Sequence, residues 1–504
     1  MRNHKGVRIS ETLQELVNSV HNNYNSESIT EKILENRIKI IDNAKKFHED
    51  AGTLTYPLNE EIERLEKTEN HFFILSSHQP NLMPYSGVIR KLTLLEAVKR
   101  RLEALHSIPA ISLHLISDES FPDRWIKTAQ LPDVTTKEGR LDISNSEIKK
   151  KPHNRLTGYG NYPIRTSAIP KPSTTILSMW KEKIEYWLER SLKPAKRLAR
   201  KAGYEIPNQQ IENLLQNRRD FIKILDESYE RARNYADLNS FMLSKIVNGQ
   251  WGCCTLFARY SDIVHIFRDE ILFLLSNYER YFNAISEAKA KVKGEKITHR
   301  LMPFWYHCNC GGMVNLATQD SEPINFFEGK CTNCDRSYEF NISQINSENS
   351  NFFNRVSLRA IPYLLVRAKS LKLDLFVGGR GGLEAYYPEA KIVADKLGID
   401  WPIIGFWNPH DRYAGITQLS AFLSLKNNPT PKLSKRALEV FNGKYSIADY
   451  ALNVGLRETS QQWLNYLLRE ESDLTSDMCM RSVFDGRLAE DFLNFTKGRE
   501  YLDC

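Results

Sequence analysis

Ser76, Ser77, His78, Gln79 and Asn81 follow directly on four apolar residues, Phe72–Leu75, and Pro80, Pro84 and Gly87 shape the backbone around them. An imidazole, two amides and two hydroxyls at the end of an apolar run can move a proton and orient a polar substrate. Asp118 and Glu119 stand at the end of a second apolar run, Ala110–Ile116. Adjacent carboxylates there can take a proton, bind a metal or hold an ammonium group. A third run, Leu373–Val377, opens into Gly378, Gly379, Arg380, Gly381 and Gly382, with Glu384 and Tyr387 beyond. Glycines let a backbone approach a ligand closely, and a guanidinium grips carboxylate or phosphate. Each cluster also has a plainer reading. The first is then an ordinary strand-to-helix loop, Ser117–Ser120 a helix cap, and the glycine run a turn. The glycine run does not fit G-x-G-x-x-G, so a dinucleotide fingerprint is unsupported.

Four of the eight cysteines fall into two close pairs, Cys308 with Cys310 and Cys331 with Cys334. Two thiolate pairs at Gly- or Asn-containing turns, joined by a short β-prone stretch, match a zinc ribbon. Four thiolates close a tetrahedral ion completely, which assigns the zinc a structural role; His307 is the alternative ligand that would point to an open site. The other cysteines form no secreted framework: Cys253 and Cys254 are adjacent, and Cys479 and Cys504 lie in the tail.

Elements must position these groups. The runs at 72–75, 110–116, 373–377 and 402–406 read as strands, most followed by a helix. An open α/β sheet binds its ligand outside the carboxyl ends of such strands. Residues 1–70 read as helical, with Ser28–Glu31 as a capping box and Leu34, Ile38 and Ile41 on one face. Residues 133–172 read as irregular, with a basic cluster at 149–151 and a turn at Gly158-Tyr-Gly160. A helical region spans about 174–297, interrupted by a short strand near 251–257, with cysteines packed there as hydrophobes. The resulting division is an N-terminal helical segment (1–70), a first core half (71–172), a helical connecting domain (173–300), a zinc ribbon (301–345), a second core half (346–428) and a C-terminal helical region (429–504).

Composition narrows the class. At 504 residues, with 69 Lys and Arg against 62 Asp and Glu, the net charge of +7 permits anionic partners without demanding nucleic acid. No run approaches the roughly 18 apolar residues of a membrane span, and the first residues lack a signal-peptide core, so the expected location is cytoplasmic.

These stretches resemble the bacillithiol-biosynthesis cysteine-adding enzymes (BshC), over roughly residues 55–130 and 350–410. The family's strand, Gly-Gln-Gln-type turn and Lys-bearing helix look like His78, Gln79, Pro80 and Lys91. Its acidic strand end looks like Ser117-Asp118-Glu119, and its Arg-Pro segment like Arg359-Ala-Ile-Pro362. Its Gly-Gly-Pro-Gly-Glu-x-x-Tyr signature looks like Gly378-Gly379-Arg380-Gly381 with Glu384 and Tyr387. Here His78 replaces the first Gln of the turn and Arg380 the signature Pro. The family's long C-terminal coiled coil has no counterpart, and the zinc ribbon is an addition. Ser77–Gly87 is also similar to the His-Gln-Pro-Asn opening of the WbqC-like family, linked to amino-sugar modification.

The resemblance implies a Rossmann-like, nucleotidyltransferase-type core and an amide-forming ligase or transferase joining an amino acid, cysteine in the family, to an amino-sugar or similar amine. His78, Asp118 and Glu119 would then be catalytic. Gln79, Asn81, Lys91, Arg359, Gly378, Gly379, Arg380, Gly381, Glu384 and Tyr387 would bind substrate. ATP or another nucleotide is a candidate cofactor beside the zinc, and a homodimer is compatible. The alternatives are a zinc-ribbon nucleic-acid-binding protein, disfavoured by the small charge excess, and a non-catalytic scaffold on the same fold.

Overall fold

The computed structural model describes residues 2–407 apart from 84–85, 123, 133–139, 149–163, 202–207, 319–325, 342–344 and 346–351. It also describes 412–413, 468, 474 and 480–481. The basic cluster at 149–151, the turn at 158–160, His410, the last two cysteines and nearly all of the C-terminal region lie outside the described residues.

Phe72–Leu75 and Ala110–Ile116 are buried on both faces, with Ser112 and His114 the only polar residues among them, as in strands covered by helices on either side. They form the centre of a seven-stranded mixed sheet. Its strands are β1 (Arg2–His4), β2 (Val7–Ile9), β3 (Phe72–His78), β4 (Ala110–Ile116), β5 (Leu256–Arg259), β6 (Leu375–Gly378) and β7 (Ile403–Phe406). The order across the sheet is β1-β2-β7-β6-β3-β4-β5, and every neighbouring pair is parallel except β1 with β2. From β3 the chain steps outward to β4 and β5, then returns to lay β6 against the other side of β3. The order therefore reverses between β3 and β6, the place where such sheets open a crevice. Register is fixed by side-chain alternation. Phe72, Ile74, Leu375 and Val377 enter one core, packed by helices Leu13–Asn23 and Ser86–His106. Phe73, Leu75 and Phe376 enter the opposite core with helices Glu31–Ala51, Ala360–Leu371 and Tyr387–Leu397.

Several expectations need correction. Residues 2–9 are not helical: β1 and β2 form a hairpin whose second strand pairs with β7. Val7 and Ile9 are buried, so period-two burial over three residues was too short to read. The capping box at Ser28 does not form. Thr30 is the N-cap, accepting from the Ile33 amide at 3.3 Å, and Ile38 faces outward while Ile40 and Ile41 are buried. The region after β4 contains an antiparallel hairpin, Thr128–Pro132 with Arg140–Ser144. Near Cys253 the strand starts later than expected, at Leu256; Cys253 is buried, and burial pushes its thiol pKa up. The helix from Tyr387 does end at Gly398, in the left-handed conformation that glycine adopts without strain.

Arg37 ties the N-terminal helices to the sheet. Fully buried, it donates to the carbonyls of Leu371, His71 and Lys372 at 2.9–3.0 Å, closing the end of helix Ala360–Leu371. Those carbonyls have no intrahelical partners, and a cation at a helix C-terminus also meets its dipole favourably. Arg37→Ala strands several buried acceptors at once and is expected to cost about 3 kcal/mol. The check is the urea midpoint, and an unchanged midpoint would show that water takes over these acceptors.

Candidate functional site

Outside the carboxyl ends of β3 and β4 lies a crevice of about 510 Å³. Ser77, His78 and Gln79 reach it from β3 and its turn, and Ser117, Glu119, Ser120 and Phe121 from the end of β4. Tyr363, on helix Ala360–Leu371, hydrogen-bonds Ser117 through the two hydroxyls at 3.0 Å. Gln79 donates to the Phe121 carbonyl at 3.1 Å, which links the two strand ends. Strands β3 and β4 pair in full register from Phe72↔Ala110 to His78↔Ile116, so these groups come together because their strands end together.

The two carboxylates have different surroundings. Asp118 is buried with both oxygens on Ser261, one accepting from its amide at 3.1 Å and the other from its hydroxyl at 2.6 Å. It does not line the crevice; it fixes the chain after β5 to the end of β4. Glu119 does line it, with Arg165 Nη1 at 3.0 Å and His307 Nε2 at 3.0 Å from its Oε2. Burial, then the Asp118 charge, push the Glu119 pKa well above the usual carboxylate range, while Arg165 pulls it back. Desolvation raises any carboxyl pKa in this way. His307 is buried and held neutral, by burial first and then by Arg165. Glu119 is therefore a carboxyl that can exchange a proton near neutrality.

His78 is different. Burial, with Lys91 acting in the same direction, lowers its pKa to about 3. Its Nδ1 lies 3.0 Å from the Gln79 carbonyl, so Nδ1 carries the proton and Nε2 is the acceptor. Such an imidazole orients a donor but does not take up a proton near pH 7, unlike the proton-moving imidazole expected at this position. Asn81 is buried in the same turn. Lys91 donates to the Ser77 carbonyl at 3.2 Å, and burial lowers its pKa to about 8. A Cβ on Gly379 would lie 3.1 Å from Lys91 Cε, so the ammonium sits beneath the glycine turn rather than among the crevice-lining groups.

The glycine run packs against Tyr387, and Gly382 and Tyr387 both line the crevice. A Cβ at Gly378 would fall 2.2 Å from the Tyr387 hydroxyl oxygen, and one at Gly382 would fall 2.3 Å from its ring. Burial raises the Tyr387 pKa, so the phenol is neutral. Arg380 begins the short helix Arg380–Ala385 and points to solvent, paired with Glu384 at 2.7 Å. Neither lines the crevice, and a Cβ on Gly381 would meet open space. Gly378→Ala must push Tyr387 out of place, and the overpacking is expected to cost roughly 1–3 kcal/mol. Thermal unfolding checks this, since Gly381→Ala should leave the midpoint nearly unchanged.

Arg359 caps helix Ala360–Leu371, with its guanidinium 3.8 Å from the centre of the Trp305 ring. It donates to the Met302 carbonyl at 2.7 Å and to the Asn315 side-chain oxygen. Trp305 and Met313 line the far wall of the crevice and belong to the cysteine-bearing hairpins. Strand Phe304–His307 pairs with Met313–Val314 around Cys308 and Cys310, and on its other side with Val356–Leu358. Phe326–Lys330 pairs with Ser337–Asn341 around Cys331 and Cys334.

The four sulfurs all lie within 4.8 Å of one another, with Cys308–Cys334 at 3.6 Å and Cys310–Cys331 at 3.5 Å. Tetrahedral thiolates at bonds of about 2.3 Å sit about 3.8 Å apart, so this group fits a metal ion. A Cβ at Gly312 would lie 2.5 Å from Cys331 Sγ, so glycine is needed for the two turns to close. The Tyr338 hydroxyl donates to Cys308 Sγ at 3.0 Å, a contact that would steady a metal-bound thiolate. His307 is not in the group; it faces Glu119.

Sequence reasoning missed Arg165, His307 as the partner of Glu119, Ser261, Tyr363, Trp305 and Met313. Arg165 sits in a polar stretch without periodicity. Trp305 and His307 fall on a run whose only visible feature is the cysteine that follows. No helix among the described residues is long and apolar enough to cross a membrane. The chain matches no family model and no curated protein.

Proposed function

We propose that the chain is an amide-forming ligase or transferase that joins the carboxyl of an amino acid, cysteine being one candidate, to the amine of an amino sugar or similar acceptor. In this reading the seven-stranded sheet is a Rossmann-like core, and the two cysteine hairpins are a ribbon around a structural zinc. The observation that carries it is Glu119 in the crevice at the strand-order reversal, a buried carboxyl with a raised pKa between Arg165 and His307.

An incoming ammonium must lose a proton before its nitrogen can attack a carbonyl. In its ionised form Glu119 accepts that proton and can return it to the leaving group. Gln79 and Arg359 offer N–H donors to a substrate carboxylate, and the neutral His78 presents a fixed acceptor. Bringing two reactants into one crevice supplies much of the rate, and ATP or another nucleotide would supply the activation of the carboxyl. A closed four-thiolate site has no position for substrate, which supports a structural zinc.

The test is a mass-spectrometric assay of the purified protein with an amino-acid mixture and amino sugars, glucosaminyl-malate among them, with and without ATP. A product one water lighter than the summed reactants is expected. Absence of any such product with every acceptor and with ATP present would overturn the reading.

A further inference from the structure

Behind the crevice lies a second cavity of about 340 Å³, between helix Tyr278–Lys293, the segment after it and the start of helix Ala360–Leu371. Its walls combine rings with cations. Tyr281, Phe282 and Tyr386 supply aromatic surface, and Lys289, Lys293, Lys296 and Arg359 supply positive charge. Only two lining carboxylates oppose these four cations. Glu389 is held by Lys293 at 2.5 Å and Glu295 by Lys289 at 3.3 Å. The balance of the lining is positive. Glu389 is buried, so its bond to Lys293 is a fixed part of the wall. Lys296 stands exposed at the mouth, where it can reach an incoming anion.

The two cavities share Arg359, Ala360 and Tyr386. The second cavity therefore adjoins the crevice that Glu119 lines. We propose that the second cavity binds a small anionic ligand bearing a flat ring, its anionic group toward the lysines and its ring on Phe282 and Tyr386. A volume of this size suits one ring and one anionic group, and rings against aromatic walls add affinity that a bare anion lacks. The role as a subsite for one of two substrates rests on the amide-forming reading; the binding itself does not.

The test is calorimetric titration of the full chain with phenyl phosphate, benzoate and inorganic phosphate. Phenyl phosphate or benzoate is expected to bind at least roughly fivefold more tightly than inorganic phosphate, since aromatic pairs contribute on that scale. Whichever of the two binds better identifies the anionic group as phosphate or carboxylate. Lys296→Glu should weaken binding by roughly five- to tenfold, the effect of reversing one partly exposed charge. Phe282→Ala should bring phenyl phosphate down to the level of inorganic phosphate. Glu119→Gln, which alters only the crevice, should leave binding unchanged. No binding of either ring compound, or binding lost in Glu119→Gln but kept in Lys296→Glu, would overturn the proposal. Because no arm measures turnover, a failed amide-forming assay would leave these results intact.

Discussion

Cys331→Ser is expected to release the metal and to unfold the two cysteine hairpins while the seven-stranded sheet persists. Cys331 is buried, and its sulfur lies against both Gly312 and Cys310, so no solvent-exposed substitute can take its place. Strands Met313–Val314 and Ala317–Thr318 have two residues each, too short to hold a sheet by pairing alone. Binding of a structural zinc by four thiolates is worth on the order of 10 kcal/mol in small modules, more than such short strands can otherwise gather. Metal content should fall from about one ion per chain to near zero, and amide exchange should speed up across 304–314 and 326–341. Protection in β3 and β4 should be kept. The consequence reaches the crevice, because Trp305, Met313 and His307 sit on these hairpins. A chelator should produce the same pattern, and Cys253→Ser, in a buried position away from the cluster, should not. Full metal content with unchanged exchange in Cys331→Ser would show that the metal is not held by this group of four cysteines.

The parts of this molecule that could be read from sequence are those in which local pattern and tertiary environment agree. β4 needed only its own seven residues, since five of them are apolar and the other two, Ser112 and His114, do not break the run. The cysteine pairs were legible because four like ligands at short spacing have few other uses. β1 and β2 were not legible, because three-residue strands carry too little alternation and depend on β7, nearly four hundred residues away. The glycine run shows the limit from the other side. Its residues read as a ligand cradle, and the space at Gly378 and Gly382 is taken by Tyr387 from the next helix, a side chain that itself lines the crevice. Arg380 and Glu384 fit a binding motif in one dimension, and helical spacing of four residues turns them toward each other on the surface. The site was half visible. Both strand ends were found, while the groups that tune Glu119 arrive from 165 and 307, with no sequence signal connecting them to residue 119.

Glu119→Gln is the substitution that separates a proton-transferring carboxyl from a merely structural one. Gln keeps the shape and can still accept from Arg165, but it cannot ionise. If Glu119 carries the proton, turnover in the amide-forming assay should fall by about 10²–10⁴-fold with little change in substrate affinity. Stability provides a second, independent reading. The folded-state pKa of Glu119 lies above its unfolded value, because burial and Asp118 favour the neutral form. Between the two values the folded chain binds more protons than the unfolded chain, so stability falls as pH rises through that window. Below the unfolded value, about 4.3, both states are protonated and the penalty vanishes. The Gln variant avoids the penalty at every pH. The stability of Glu119→Gln relative to the parent should therefore increase from acid toward pH 8, by roughly 1–3 kcal/mol. Taking the difference between the two proteins cancels groups that Glu119 does not touch, such as His78, and leaves Glu119 together with its coupling to Asp118. Urea unfolding at several pH values measures it. A difference that stays flat with pH would show that Glu119 is ionised throughout and held as a salt bridge by Arg165, and acid–base work in the crevice would then fall to another group.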